Sequence, residues 1–166
     1  MMNKLLAALL CVSSSAWCAV TVKTNIDVEA KVETSVRVYV GNKDVTNGSI
    51  MLQLSEVGGY MEGTTPAFIF IGNASSVKLS LESPANKSLL SENGDLMKLN
   101  TLWQRADGGT AVTNFDLNNQ KVYPDIGQVD DLNYGPKISF KSEKTVENYP
   151  LGTYKGTYIL KVSPAT

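Results

Sequence analysis

The run VTVKTNIDVEAKVETSVRVYV (residues 20–40) decides how the rest of the chain is read. Its even positions are Val20, Val22, Thr24, Ile26, Val28, Ala30, Val32, Thr34, Val36, Val38 and Val40. The odd positions are almost wholly polar, with Lys23, Asp27, Glu29, Lys31, Glu33 and Arg37 among them. Strict alternation at period two is the pattern of a strand with one face buried. Strands usually run about 5–6 residues, so this run is several times too long for one. Fully extended it reaches about 70 Å, whereas a domain of this size is roughly 40 Å across. Either the run bends between two sheets, or it leaves its own domain. An unpaired alternating strand near a chain end is an aggregation hazard unless another sheet accepts it. The second alternative therefore predicts that the first half is donated to a neighbour's sheet, where main-chain hydrogen bonds supply affinity and side-chain pockets supply specificity.

Ahead of this run, residues 1–18 read as a secretory signal peptide: Lys4, the apolar stretch LLAALLCV, a serine patch and a small-residue cleavage site. Cleavage after Cys18 sets Ala16 and Cys18 at the small-residue positions and is preferred to cleavage after Ala19. Both cysteines, Cys11 and Cys18, fall in this segment, so the exported chain has no disulfide framework. Histidine is absent. About 148 residues remain, enough for one domain with a real core. The formal net charge of −1 becomes −2 on losing Lys4, with acids and bases interspersed. No basic stripe invites nucleic acid, and no second apolar run is long enough to span a membrane as a helix.

Beyond Val40 the chain breaks into short apolar or alternating segments separated by turn residues. GNKDVTNGS is a turn-rich link, SIMLQL alternates Ile50, Leu52 and Leu54, and VGGYMEGTTP reads as loop. PAFIFIGN, SSVKLSLES, LMKLNTLWQ, TAVTNFDL, KISFKSE and GTYKGTYILKVSPAT read as strands. Between them, SPANKSLLSENGD is expected to be a connection with a helical turn at Ser88 to Leu90, and RADGG a turn. About seven or eight strands at this spacing, with no long amphipathic helix, predict an all-β, immunoglobulin-like sandwich. A lipocalin-type barrel is the alternative.

Two segments resemble chaperone–usher pilins. TNIDVEAKVETSV, directly after a signal peptide, is similar to the donor segment of the alpha-fimbrial (class 5, colonization factor antigen I-like) family; the shared string is Asn25, Ile26, Val28, Ala30 and Val32. YPLGTYKGTYILKVSPAT resembles that family's closing strand through Gly152, Tyr154, Gly156, Tyr158, Leu160 and Val162. The resemblance covers about a quarter of the chain. It implies an immunoglobulin-like fold missing its last strand, with an acceptor groove along Tyr154, Gly156, Tyr158, Leu160 and Val162. A periplasmic chaperone would lend a strand to that groove and grip the terminal carboxylate of Thr166. An outer-membrane usher would then exchange that strand for the next subunit's extension, residues 19–32, with Val20, Val22, Thr24, Ile26, Val28, Ala30 and Val32 facing in. Residues 33–166 would form the pilin domain. The function so implied is a structural fimbrial subunit, exported through the periplasm to a surface fibre of identical or related subunits that attaches to a host-cell receptor. An adhesive, lectin-like module contacting the receptor directly is the alternative.

Other chemistry has little to work with. Without histidine or cysteine after the signal, triads and zinc sites built on them are excluded, and no enzyme or cofactor is expected. Asp125, Asp130 and Asp131 could ligate calcium, but their spacing fits no EF-hand and a polar surface loop is the preferred reading. Asn47, Asn73 and Asn86 begin N-x-Ser sequons that read better as turn residues. Trp103, Arg105, Tyr60, Tyr123 and Tyr134 are candidates for a receptor patch, since aromatic residues and arginine dominate binding hot spots. Trp103, close behind Leu99 and Leu102, is expected in the core.

Overall fold

A computed structural model of the chain describes residues 28–31 and 34–165. Its strands all fall within the compact unit Glu33–Thr166. In chain order they are β1 (Val36–Val40), β2 (Lys43–Asp44), β3 (Ser55–Val57), β4 (Tyr60–Thr64), β5 (Phe68–Gly72), β6 (Ser76–Glu82), β7 (Ser88–Ser91), β8 (Leu96–Gln104), β9 (Thr110–Val112), β10 (Leu117–Tyr123), β11 (Lys137–Ser142), β12 (Tyr154–Lys155) and β13 (Ile159–Pro164). Three short 3-10 turns interrupt them, and no α-helix occurs among the described residues. The strands form two sheets, ordered β13-β6-β10-β5-β1-β2 and β12-β7-β8-β11-β4-β3, with β9 joined to β8. The protein is an all-β, immunoglobulin-like sandwich.

Alternation along the strands selects the face that each sheet turns inward. On β6, Val77 and Leu79 are fully buried while Lys78 between them is exposed. On β8, Met97, Leu99, Thr101 and Trp103 point into the sandwich; Leu96, Lys98, Asn100 and Leu102 point out. Trp103 is only 1% exposed, and its indole N–H donates to the Phe115 carbonyl at 3.0 Å, so its polar handle is satisfied in the core. Phe68, Phe70, Ile138 and Phe140 complete the centre of the core. The even-residue face of the long N-terminal run behaves as its pattern predicts where it enters this domain: Val36, Val38 and Val40 pack on the core and Arg37 is exposed.

Several segments differ from their sequence reading. VGGYMEGTTP is not a loop but the β3–β4 hairpin, because Gly58 and Gly59 both take positive φ (59° and 83°) in a two-residue turn whose twist matches the flanking strands. SIMLQL, though it alternates, forms no strand; Leu52 and Leu54 nonetheless pack on the core. The helical turn expected at Ser88 to Leu90 does not form there: those residues belong to β7, and a 3-10 turn lies just ahead of them at Ala85–Lys87. TAVTNFDL is split, with β9 on one sheet and β10 beginning only at Leu117 in the other. β10 carries a bulge around Asn119 (φ 57°), and it pairs antiparallel with β6 and parallel with β5. Asp125 and Asp131 accept the backbone N–H of Gly127 and Asn133 at 2.7 and 2.8 Å, which makes them turn-capping residues.

Where the N-terminal run joins the domain, the chain is gripped. Ser35 N–H donates to the Asn73 side-chain oxygen at 2.8 Å, and Asn73 N–H donates to the Ser35 carbonyl at 3.2 Å. Next to this pair Val36 lies opposite Gly72 in the β1–β5 ladder. A Cβ on Gly72 would collide with the Ser35 carbonyl oxygen, so only glycine permits this approach. Gly72→Ala is expected to force the backbone apart and lower stability by about 1–3 kcal/mol, read as a fall in the thermal midpoint, whereas Gly152→Ala, whose Cβ would meet its nearest atom at an ordinary 3.8 Å, should cost less.

Candidate functional site

The C-terminal segment changes sheets partway along its length. Its first part, β12, pairs with β7 at one edge of the second sheet; its last, β13, pairs with β6 at one edge of the first. The crossing runs over Gly156, Thr157 and Tyr158. Here a Cβ on Gly156 would meet Leu89 Cδ2 at 2.8 Å, so glycine lets the chain pass close to β7. At Gly152 the nearest atom would be an ordinary 3.8 Å away, and no such requirement exists. Beyond the crossing, β13 has a partner on one side only among the described residues, and alternate residues turn their N–H and C=O groups away from β6.

Beside that edge the sandwich is open. A groove of about 610 Å³ enters the interior between the Gly156–Leu160 stretch and the strandless segment 45–50. Val38, Leu52, Leu54, Leu81, Leu89 and Phe140 line it, with Phe68, Leu99 and Ile138 at its base. Among the described residues, no acid, lysine or arginine lines it. An apolar cavity of about 150 Å³ takes a benzene-sized group, so this one has room for about four branched or aromatic side chains. Water gains little from such a surface. What fits is a run of apolar side chains, and the bare edge of β13 offers the backbone that carries them a ladder of hydrogen bonds.

Tyr158 marks one end of the groove. Its ring meets Phe140 edge-on at a centroid distance of 5.0 Å and an interplanar angle of 73°. Its hydroxyl donates to the Lys87 carbonyl at 3.1 Å. Desolvation raises the phenol above its ordinary value of 10.0. Tyr154 stands apart from the groove lining; it packs edge-on against Tyr149 and donates to the Pro150 carbonyl at 2.8 Å. Burial, followed by the charge of Asp95, raises its phenol too.

Of the six acceptor residues expected from sequence, Gly156, Tyr158 and Leu160 line the groove. Tyr154 and Val162 pack against the core outside that lining, and Thr166 lies outside the described residues. Among the expected donor residues Val28 is 87% exposed and Ala30 is exposed as well. Val20, Val22, Thr24, Ile26 and Val32 lie outside the described residues. Sequence reasoning misses the rest of the lining: Val38, Leu52 and Leu54, and Leu89 beside the crossing at Gly156. The alternation of Ile50, Leu52 and Leu54 is its one local signal, and alternation by itself points to an ordinary strand. Arg105 and Tyr134 stay at the surface, Trp103 does not, and no receptor patch joins Trp103 to them.

No protein-family model matches the sequence, and no curated protein shows significant similarity to it. Among solved structures, the chain is similar to one from a chaperone–tip adhesin complex described as vital for synergistic activation of CFA/I fimbriae biogenesis, with a TM-score of 0.48 and 16% identity. The match covers 79% of this chain but 43% of that one, so this chain spans less than half of its neighbour's length.

Tyr158→Phe is expected to lose the bond to Lys87, worth about 0.5–1.5 kcal/mol at neutral pH. Because the folded phenol sits above its ordinary value, the wild type's advantage should be complete below about pH 10 and disappear as pH rises through the raised value. Urea midpoints of the two proteins between neutral pH and about pH 11 check both the size and the sign.

Proposed function

We propose that the chain is a fimbrial subunit that polymerises by donating its N-terminal run to the groove of the next subunit. The observation that carries this reading is an uncharged groove opening beside a one-sided edge strand, in a chain whose own N-terminus bears a long alternating apolar run. Groove and run are complementary in chemistry, an apolar lining against alternating apolar side chains. Residues 19–32 supply Val22, Ile26, Val28 and Val32 as anchors, and burying each is worth about 1.5–3 kcal/mol. Lys23, Asp27, Glu29 and Lys31 then face solvent. The exposure of Val28 supports the same assignment, since a large β-branched side chain left in water is unspent apolar surface.

In this reading a periplasmic chaperone fills the groove first, and an outer-membrane usher exchanges its strand for the next subunit's run. The product is a surface fibre of the alpha-fimbrial type, and attachment to host cells is a property of that fibre. The reading rests on the resemblance of TNIDVEAKVETSV and of the closing strand to that family, together with the groove. No catalytic role is assigned.

Two altered chains test it. One lacks residues 19–32; the other carries them at the C-terminus behind a short flexible linker. The first is expected to aggregate or melt without a cooperative transition, the second to be a cooperative monomer by sedimentation. A well-folded deletion that gains nothing from the transplanted strand would overturn donor-strand exchange. A separate expectation concerns register: inserting one residue between Val32 and Thr34 turns every anchor to the opposite face, so polymers should not form. Electron microscopy showing normal fibres from that variant would refute the anchor assignment.

A further inference from the structure

We propose that the outer face of the second sheet carries a binding site for an acidic saccharide, at the end formed by Gln104, Arg105, Thr110, Asn133 and Lys137. A depression of about 390 Å³ opens there, in the range that holds one or two sugar rings. The pairing register brings its floor together. Gln104 lies opposite Lys137 of β11 on one side and opposite Thr110 of β9 on the other, so the three side chains share the outer face. Asn133 and Gly135 close the rim; a Cβ on Gly135 would collide with the Phe68 carbonyl oxygen, which keeps this wall tight against β5 of the first sheet.

Arg105 is seated, not loose. The 105–109 turn is closed by Arg105 N–H to the Gly109 carbonyl at 2.7 Å and Gly108 N–H to the Arg105 carbonyl at 3.0 Å. Asp107 pairs with the guanidinium at Nε at 3.3 Å and also accepts the Gly109 N–H at 2.9 Å. The guanidinium rests so closely over Gly109 that a Cβ there would meet Nη2 at 2.5 Å. Lys137 forms no ion pair among the described residues. Lys137 is thus a cation without an ion-pair partner beside the Arg105–Asp107 pair; no carboxylate lines the depression among the described residues, and Asp131 is engaged by the Asn133 N–H at 2.8 Å.

The neighbouring row on the same face supplies the other half of the chemistry. Two residues along from Gln104 and Thr110, Leu102 and Val112 face each other across the β8–β9 ladder, 38% and 47% exposed. A sugar ring has an apolar C–H face and a polar rim, and this face offers an apolar pair beside two amides, a hydroxyl and two cations. The Lys137 ammonium, unpaired among the described residues, and the seated Arg105 guanidinium select a saccharide bearing a carboxylate or a sulfate ester, since charge-assisted hydrogen bonds to guanidinium are the strong ones. The site uses nothing from the groove and stands or falls independently of strand exchange.

Calorimetric titration of the full chain with four probes tests it: 3′-sialyllactose for a carboxylate, lactose 3′-sulfate for a sulfate ester, lactose, and hexaglutamate. Saturable binding of either acidic sugar, at least tenfold tighter than lactose, is expected, and which of the two binds identifies the anion. Arg105→Gln and Lys137→Gln should each weaken it about tenfold or more. Gly109→Ala should do the same with the charge intact, because its backbone conformation tolerates alanine and only the seat of Arg105 is lost. Lys155→Gln, on β12, should change nothing. Should Arg105→Gln fail to melt cooperatively, Lys137→Gln and Gly109→Ala decide. No binding of either acidic sugar, equal binding of lactose or hexaglutamate, or full affinity in the folded variants overturns the proposal.

Discussion

Everything in this molecule turns on one strand edge that has no partner among the described residues. β13 satisfies half of its backbone polar groups through β6, and the remainder face outward beside an apolar groove. Desolvated N–H and C=O groups without partners cost about as much as lost hydrogen bonds, and wet apolar surface forfeits the main driving force of folding. Either defect alone could be covered by a loop. Both together, side by side and extending in the same direction, ask for a strand with alternating side chains. Gly156 allows the C-terminal segment to bring them together, because it lets the chain slip past Leu89 as it leaves one sheet for the other.

The two faces of the sandwich do different chemistry. Inside, the open part of the interior has no charged side chain in its lining among the described residues and relies on volume and shape. Outside, the second sheet carries its charges in pairs, such as Lys98 with Glu143 and Lys141 with Glu62. Exposed pairs of this kind contribute little to stability. At the β8–β9 turn Arg105 pairs with Asp107, while among the described residues Lys137 beside it has no acid of its own.

Much of this is legible from the residues alone, and the limits are physical. Period-two alternation reports which side of a strand is buried, so the pattern by itself turns Val36, Val38, Val40, Val77, Leu79 and Trp103 inward, where they lie. It does not report which strand lies alongside. The parallel contact of β10 with β5, and the gathering of Leu89, Leu99 and Phe140 in one groove with Leu160, are long-range outcomes that no local pattern encodes. Ile50, Leu52 and Leu54 alternate as a strand should, yet they form none, because a periodic side-chain pattern gives no backbone partner. The β3–β4 hairpin, by contrast, has a local signal in Gly58-Gly59, muted because the flanking residues are not strongly apolar. At the candidate site, the end of the chain with the stronger pattern is readable, and the wall contributed by distant strands is not.

The grip on Ser35 also has a mechanical meaning. Tension applied to the chain ahead of β1 reaches the domain first at Asn73, whose two hydrogen bonds hold Ser35 from both sides. Behind it the five residue pairs of β1 and β5 lie in sequence from Val36–Gly72 to Val40–Phe68. A pull along the strand axis loads those pairs together in shear, whereas a sideways pull peels them one at a time from the Asn73 end. Resistance to force depends on the barrier to unfolding more than on equilibrium stability. The same five-residue strand is therefore a strong tether in one direction and a zip in the other, and the close approach at Gly72 lies at the tooth where unzipping would begin.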